Sequence, residues 1–190
     1  MIPGKEYIRE KYKKKRAALS DQDKMDLDQK IKARAIDWLK SGDFPKKVHL
    51  FLPIQKQKEV DTFPLLEWFW ENGWDVYSSK ISSESLDMET IFLEPNTSFK
   101  TSTWGIPFPN YYQEVEIQEF SLIFLPLLAY DRSGYRIGFG KGYYDKFLAD
   151  IDFDPVKVGL SYFAPEPSLS YESHDIPLDF CITPEKVFTF

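Results

Sequence analysis

The sequence predicts a three-layer α/β/α, Rossmann-like domain with a largely parallel central sheet and two amino-terminal helices. Short apolar runs alternate with segments of helical period along most of the chain, the pattern of strand–helix units that feed a parallel sheet. One run, residues 121–129, is apolar enough to be a strand buried on both faces. With 190 residues, 43% of them hydrophobic, the chain can bury a sizeable core, and we expect a single domain over residues 1–190.

Residues 4–18 read as the first helix. Lys5, Arg9, Lys13 and Arg16 recur at spacings of four, four and three, which puts them on one face, with Ile8, Tyr12 and Leu19 on another. Ser20, with Asp23 three residues later, is a variant capping box that opens a second helix. Its buried stripe is Leu27, Ile31, Ala35, Trp38 and Leu39, and it ends near Gly42. Residues 48–53 form the first strand, 55–58 a polar loop, and 61–72 a helix closed by Gly73. Residues 75–78 form the next strand, and 79–102 mix short strands with loops whose order the sequence does not reveal. The run 121–129 leads into the turn Asp131-Arg132-Ser133-Gly134, a glycine-rich loop and a helix over 142–150. Residues 156–160 and 180–183 complete the strands. Ligands of such folds sit beyond the carboxyl ends of the strands, where the glycine-rich loop lies.

Composition narrows the function classes. The net charge of −6 argues against a dedicated nucleic-acid binder, yet residues 5–16 carry seven Lys or Arg against Glu6 and Glu10. Positive charge is gathered at one end. Cys181 is the only cysteine, which excludes an internal disulfide and a cysteine-based zinc site and fits a reducing compartment. With only His49 and His174, a metal is expected to be held by oxygen. No apolar run approaches the roughly 20 residues of a membrane span, so we expect a cytoplasmic protein without a membrane partner. The many Phe, Tyr and Trp residues predict an aromatic-walled core or cleft.

The segment 136–145 reads Arg-Ile-Gly-Phe-Gly-Lys-Gly-Tyr-Tyr-Asp, with Gly138, Gly140 and Gly142 at alternate positions. Glycines bring backbone N–H groups close to a bulky anion, Arg136 and Lys141 add charge, and the following helix offers its electropositive end. Neither the Walker loop nor the dinucleotide fingerprint is matched. A purely architectural turn is the alternative that glycine spacing alone leaves open. Asp145, three residues past the last glycine, supplies the carboxylate that a phosphate-bound Mg²⁺ needs. Lys5 and Arg9, one turn apart, are suited to gripping a polyphosphate.

These features fall within five ordered blocks that resemble the 5-formyltetrahydrofolate cyclo-ligase family over nearly the whole chain. The blocks are Lys5-x-x-x-Arg9; Phe51-Leu52-Pro53 with Glu59-Val60-Asp61-Thr62; Trp104-Gly105-Ile106-Pro107; Gly138-x-Gly140-Lys141-Gly142-Tyr143-Tyr144-Asp145; and His174-Asp175-Ile176-Pro177-Leu178-Asp179. The resemblance implies an ATP- and Mg²⁺-dependent ring closure in which the formyl oxygen is phosphorylated and the neighbouring nitrogen then displaces phosphate. It implies that Lys5, Arg9, Arg136 and the loop Gly138, Phe139, Gly140, Lys141 and Gly142, with Tyr143 and Tyr144, bind ATP, and that Asp145 binds Mg²⁺. Leu52, Glu59, Trp104 and one of the two tyrosines would wall the folate, and Arg136, Lys141 and Glu59 would carry catalysis. Asp175 and Asp179 are read as structural, with a second metal-facing carboxylate among them as the alternative. Lys56 and Lys58 are candidates to attract a folate polyglutamate tail. Phe139 stands where some relatives carry a basic residue. We expect a monomer acting on small molecules. A binding module on the same scaffold and an RNA-associated protein using the basic helix are the competing classes.

Overall fold

The computed structural model describes residues 2–81, 87–102, 105–115 and 119–190. Helices α1 (Lys5–Ala17) and α2 (Asp21–Ser41) precede β1 (Lys47–His49), a single 3-10 turn (Gln55–Gln57) and α3 (Phe63–Glu71). Strands β2 (Asp75–Ile81), β3 (Met88–Leu93), β4 (Phe99–Thr101), β5 (Pro107–Pro109) and β6 (Gln113–Glu114) follow. Next come β7 (Leu122–Leu125), β8 (Ala129–Tyr130), β9 (Arg136–Ile137), α4 (Tyr143–Asp150), β10 (Val156–Leu160), β11 (Phe180–Ile182) and β12 (Val187–Thr189).

The main sheet has the order β12-β11-β10-β7-β1-β2-β3-β6. Its centre, β11 to β2, is parallel, and β12, β3 and β6 are antiparallel additions at the edges. Val76, Val48, Leu122 and Val156 are in register across four strands. All four residues of β7 are buried, as a strand covered on both faces requires. Leu122 and Phe124 face one core with Ile31, Ala35, Leu39, Leu65, Leu66 and Phe69 of α2 and α3. Ile123 and Leu125 face the other, with Phe147 of α4 and Phe120. This is the three-layer α/β/α arrangement. Ser20 caps α2 as expected: its hydroxyl accepts from the Asp23 N–H at 3.0 Å and donates to the Asp23 carboxylate at 2.6 Å.

Three expectations need correction. The run 121–129 is not one strand, because Pro126 has no N–H to give to a ladder. β7 stops at Leu125, and β8 instead pairs with β9 in a separate two-stranded ribbon. The tight turn between β8 and β9 is organised by buried Asp131, whose carboxylate accepts from the N–H groups of Ser133, Tyr135 and Leu169. The helix over 61–72 starts at Phe63, since the Asp61 carboxylate caps the Phe63 N–H at 3.1 Å. In α1 the inward face is Ile8, Tyr12 and Arg16, spaced four apart, while Lys13 pairs with Glu10. Arg16 therefore sits with the apolar residues and not with the basic stripe.

β1 connects to β2 on one side, whereas β7 lies on its other side, so the topological switch point falls between β1 and β7. A crevice forms there beyond the carboxyl ends of the strands, because the two connections leave in opposite directions. The loop after β1 carries Leu52 and Glu59, and the segment after β7 carries the β8–β9 ribbon and the glycine-rich loop. α1 packs against this ribbon through Ile8, Tyr12, Leu128, Ala129 and Ile137. Among the described residues, no helix is long and apolar enough to cross a membrane.

Candidate active site

One side of the crevice is built of paired charges. β9 delivers Arg136, whose side chain is only 5% exposed, and its guanidinium meets the Asp145 carboxylate at 2.8 Å. Burial works against the charge of Arg136, and Asp145 offsets it. Arg136 also donates to the Ile176 carbonyl, while the Ile176 N–H donates to the same Asp145 oxygen at 3.2 Å. The loop from β9 to α4 thereby joins the segment 172–176. From α1, Lys5 reaches Asp175 at 2.6 Å and Glu172 at 3.3 Å. Burial opposes the charge on Lys5, but its two carboxylate partners outweigh it and raise its pKa. Arg9 donates from Nε to the Gly138 carbonyl at 3.1 Å and pairs with Glu6.

Gly140 has a φ of 94°, and a Cβ there would come 3.0 Å from the Arg9 guanidinium carbon, so both backbone and space favour glycine. Gly142, with a φ of 70°, is the left-handed residue from which α4 begins. Phe139 packs against the α1–ribbon cluster, and Lys141 is exposed. Lys5, Arg9, Arg136, the glycine loop and Asp145 are thus brought together. Asp175 lies beside them through its ion pair with Lys5, and it also accepts the Glu172 N–H at 2.7 Å. Asp179 is structural as expected, accepting from the Lys157 N–H at 2.7 Å. Asp145, held by Arg136, and Asp175, held by Lys5, offer carboxylate oxygens of the kind that Mg²⁺ prefers.

The other side is buried and sparse in charge pairs. Glu59 is 4% exposed and accepts the Ile54 N–H at 2.7 Å. Burial raises its pKa; the Ile54 N–H, Arg16 and Lys24 pull it down. Tyr144 turns inward, touching both cores and meeting the His49 ring edge-on at 6.2 Å between centroids. Burial and the charge of Glu59 push its phenol upward. Tyr143 is partly exposed. Leu52 is half-buried against the α2–α3 core. Trp104 lies outside the described residues. Gly105 beside it rests on the Lys56 stem, 2.8 Å from where a Cβ would stand, so the β4–β5 turn comes up to the loop after β1.

Lys58 is engaged with the Leu19 carbonyl at 2.5 Å and lies near Asp21. It lines a groove of about 570 Å³ between α2 and the loop after β1, together with Lys24, Lys32, Asp28, Asp61 and Glu59. Tyr162, after β10, shares its one O–H between the Asp28 carboxylate at 2.7 Å and the Glu59 carbonyl at 3.0 Å, closing the back of the site.

A profile of the 5-formyltetrahydrofolate cyclo-ligase family matches residues 1–184. A 5-formyltetrahydrofolate cyclo-ligase of Mycoplasma pneumoniae is 30% identical over 182 residues, covering 95% of this chain and 99% of its own. One from Haemophilus influenzae is 27% identical, covering 92% and 94%. The solved 5,10-methenyltetrahydrofolate synthetase of Aquifex aeolicus superposes with a TM-score of 0.78 at 30% identity, covering 97% of this chain and 92% of its own. That of M. pneumoniae gives 0.75 at 27% identity, covering 95% and 99%. The chain belongs to the 5-formyltetrahydrofolate cyclo-ligase family.

Proposed function

We propose that this enzyme closes 5-formyltetrahydrofolate to 5,10-methenyltetrahydrofolate with ATP and Mg²⁺, releasing ADP and phosphate. The observation that carries the reading is the meeting of Lys5, Arg9, Arg136 and the glycine loop with Asp145 at the crevice, facing a buried Glu59 across it.

A formyl oxygen bonded to an amide-type carbon is a poor leaving group. Transfer of the γ-phosphoryl group to it forms a P–O bond, breaks the bond to ADP, and leaves the carbon open to attack by the adjacent nitrogen. Attack forms the C–N bond, phosphate departs with the former formyl oxygen, and the nitrogen gives up its proton. Mg²⁺ would supply positive charge that offsets the negative charge of the phosphoryl transfer. Asp145 and Asp175 would hold it. Lys5, Arg9, Arg136 and Lys141 would line up the phosphates, and the loop amides of Gly138, Phe139, Gly140 and Gly142 would cradle them, so catalysis is positioning and charge neutralisation. Glu59 would accept N–H groups of the pterin, with Leu52, Trp104 and Tyr144 as walls and Tyr143 nearer the nucleotide. Lys58, at the rim of the groove, is suited to a polyglutamate tail. No nucleophilic side chain is needed, in keeping with the burial of Cys181 and His49.

The proposal treats residues 1–190 as one catalytic domain, a cytoplasmic monomer. Its test is direct: mix the protein with 5-formyltetrahydrofolate and MgATP and follow the near-ultraviolet absorbance of the methenyl product. The signal should rise only with both substrates and Mg²⁺ present. No product at high enzyme concentration, with ATP shown to bind, overturns the reading.

A further inference from the structure

Lys5 and Arg9 of α1 are each held between the loop side of the crevice and a glutamate. The Arg9 guanidinium lies across the glycine loop. It donates from Nε to the Gly138 carbonyl at 3.1 Å, and its carbon and Nη2 lie 3.0 and 3.2 Å from where a Cβ on Gly140 would stand. Its Nη1 meets the Glu6 carboxylate at 3.1 Å. Lys5 is sandwiched in the same way, with Asp175 at 2.6 Å and Glu172 at 3.3 Å. The two cationic side chains are 21% and 19% exposed, whereas those of Glu172 and Glu6 are 62% and 74% exposed.

A pair between residues three apart on an exposed helix face is ordinary, as Glu10 with Lys13 shows. The glutamates at Arg9 and Lys5 differ in what lies behind the cation. Each cation is already fixed from the loop side, Arg9 by the Gly138 carbonyl and Lys5 by the less exposed Asp175. The exposed glutamate takes up donors that are left, and these are the donors a ligand entering from solvent would meet. A carboxylate offers a guanidinium or an ammonium the same kind of oxygen that a phosphate offers. An exposed carboxylate pair is also weak, so a group of higher charge displaces it. Glu172 has a second partner within reach when Lys5 is taken, the His174 Nε2 at 3.3 Å.

We propose that Glu6 and Glu172 are place-holders for the phosphates of the nucleotide: they hold the Arg9 and Lys5 side chains at the glycine loop and are displaced when a polyphosphate enters. Each phosphate contact with one of these cations then replaces a carboxylate contact, and binding must repay the broken pair. The two glutamates therefore set the nucleotide affinity below what the cations alone would give. The inference rests on the reading of Lys5 and Arg9 as phosphate ligands given above.

The test is titration calorimetry with ATP in metal-free buffer on wild type, Glu6→Gln, Glu172→Gln and Glu10→Gln, with KM for MgATP, KM for 5-formyltetrahydrofolate and thermal melting alongside. Glu6→Gln and Glu172→Gln should each tighten ATP binding about two- to five-fold and lower KM for MgATP, with KM for folate and melting near wild type. Glu10→Gln removes the same charge one turn further along α1, where the partner is Lys13, and should change ATP binding by less than about 1.5-fold. In an Arg9→Gln background the effect of Glu6→Gln should vanish, as should that of Glu172→Gln in a Lys5→Gln background. Unchanged or weaker ATP binding in Glu6→Gln and Glu172→Gln overturns the proposal. Equal tightening by Glu10→Gln, or an effect that persists without the paired cation, assigns the gain to net charge and also overturns it. A wild type that binds no ATP removes the functional reading and this one together, whereas ATP binding that the glutamate variants leave unaltered removes this one alone.

Discussion

The two sides of the crevice solve the problem of placing charge in opposite ways. On the glycine-loop side every cation that α1 and β9 present already has a protein partner: Lys5 with Asp175, Arg136 with Asp145, Arg9 with Glu6 and the Gly138 carbonyl. On the Glu59 side the charges are deeper and are held by single backbone contacts, Ile54 for Glu59 and Leu127 for Arg16. The first arrangement suits exchange, since a bound polyanion and its metal can take over partners that the cations and carboxylates give up to each other. The second suits a fixed template, where misplacing one group leaves another buried and unpaired.

Substitutions should separate the two. The largest effect is expected from Asp145→Asn, which removes a proposed metal ligand and the partner of Arg136: turnover falls by roughly 10²–10³-fold, an amount typical of losing a charge-stabilising group. Folate affinity, measured by equilibrium fluorescence, stays within about two-fold. Equal losses in both would erase the contrast between the sides. Glu59→Gln comes next, with kcat/KM for folate down about 100-fold and ATP affinity by calorimetry unchanged. An unchanged folate constant would move Glu59 out of the site. Lys5→Ala should raise KM for MgATP by about ten-fold with little change in melting, because Lys5 lies in a partly exposed pair. An unchanged constant returns Lys5 to a surface role.

The last expectation concerns stability, not activity. His49 lies wholly in the core, bonded to Ser79 at 2.7 Å, and burial holds its pKa down at about 3. A histidine kept neutral by the fold takes up its proton in the unfolded chain from about pH 6.5 downward but not in the native one. The unfolded state binds more protons there, so stability falls as pH drops from about 6.5 toward 3. Between pH 6.5 and 4.5 the loss should be roughly 2–3 kcal/mol, seen by urea denaturation, and His49→Gln should flatten that part of the profile. A slope identical to wild type would show that other groups govern acid lability.

Legibility in the sequence followed the same division. The glycine loop, Lys5, Arg9, Arg136 and Asp145 stand out because phosphate chemistry needs recognisable residue types at short spacing, and the parallel centre of the sheet follows from continuous apolar runs such as β7. Less legible were features that depend on what a residue meets elsewhere. Arg16 reads as one more basic residue until its place in the series Ile8, Tyr12, Arg16, each four from the next, is weighed above its charge. Asp175 enters the site only because residues 172–176 fold back onto Arg136 and Lys5. The antiparallel edges β3, β6 and β12 take partners set by the sheet's twist and edge more than by their own pattern. Pro126 was in plain view, and its missing N–H was the signal for the break between β7 and β8.

The ion pair from Lys5 to Asp175 spans 170 residues of chain. During synthesis the helix bearing Lys5 emerges long before its partner, and closing so large a loop is entropically the most expensive contact in the site. The parallel strands around β1 and β7 can be in register beforehand. The glycine-loop side therefore waits for residue 175, so a chain stopped short of it carries β1, β2, β7 and the loop with Glu59 without the partner that fixes Lys5.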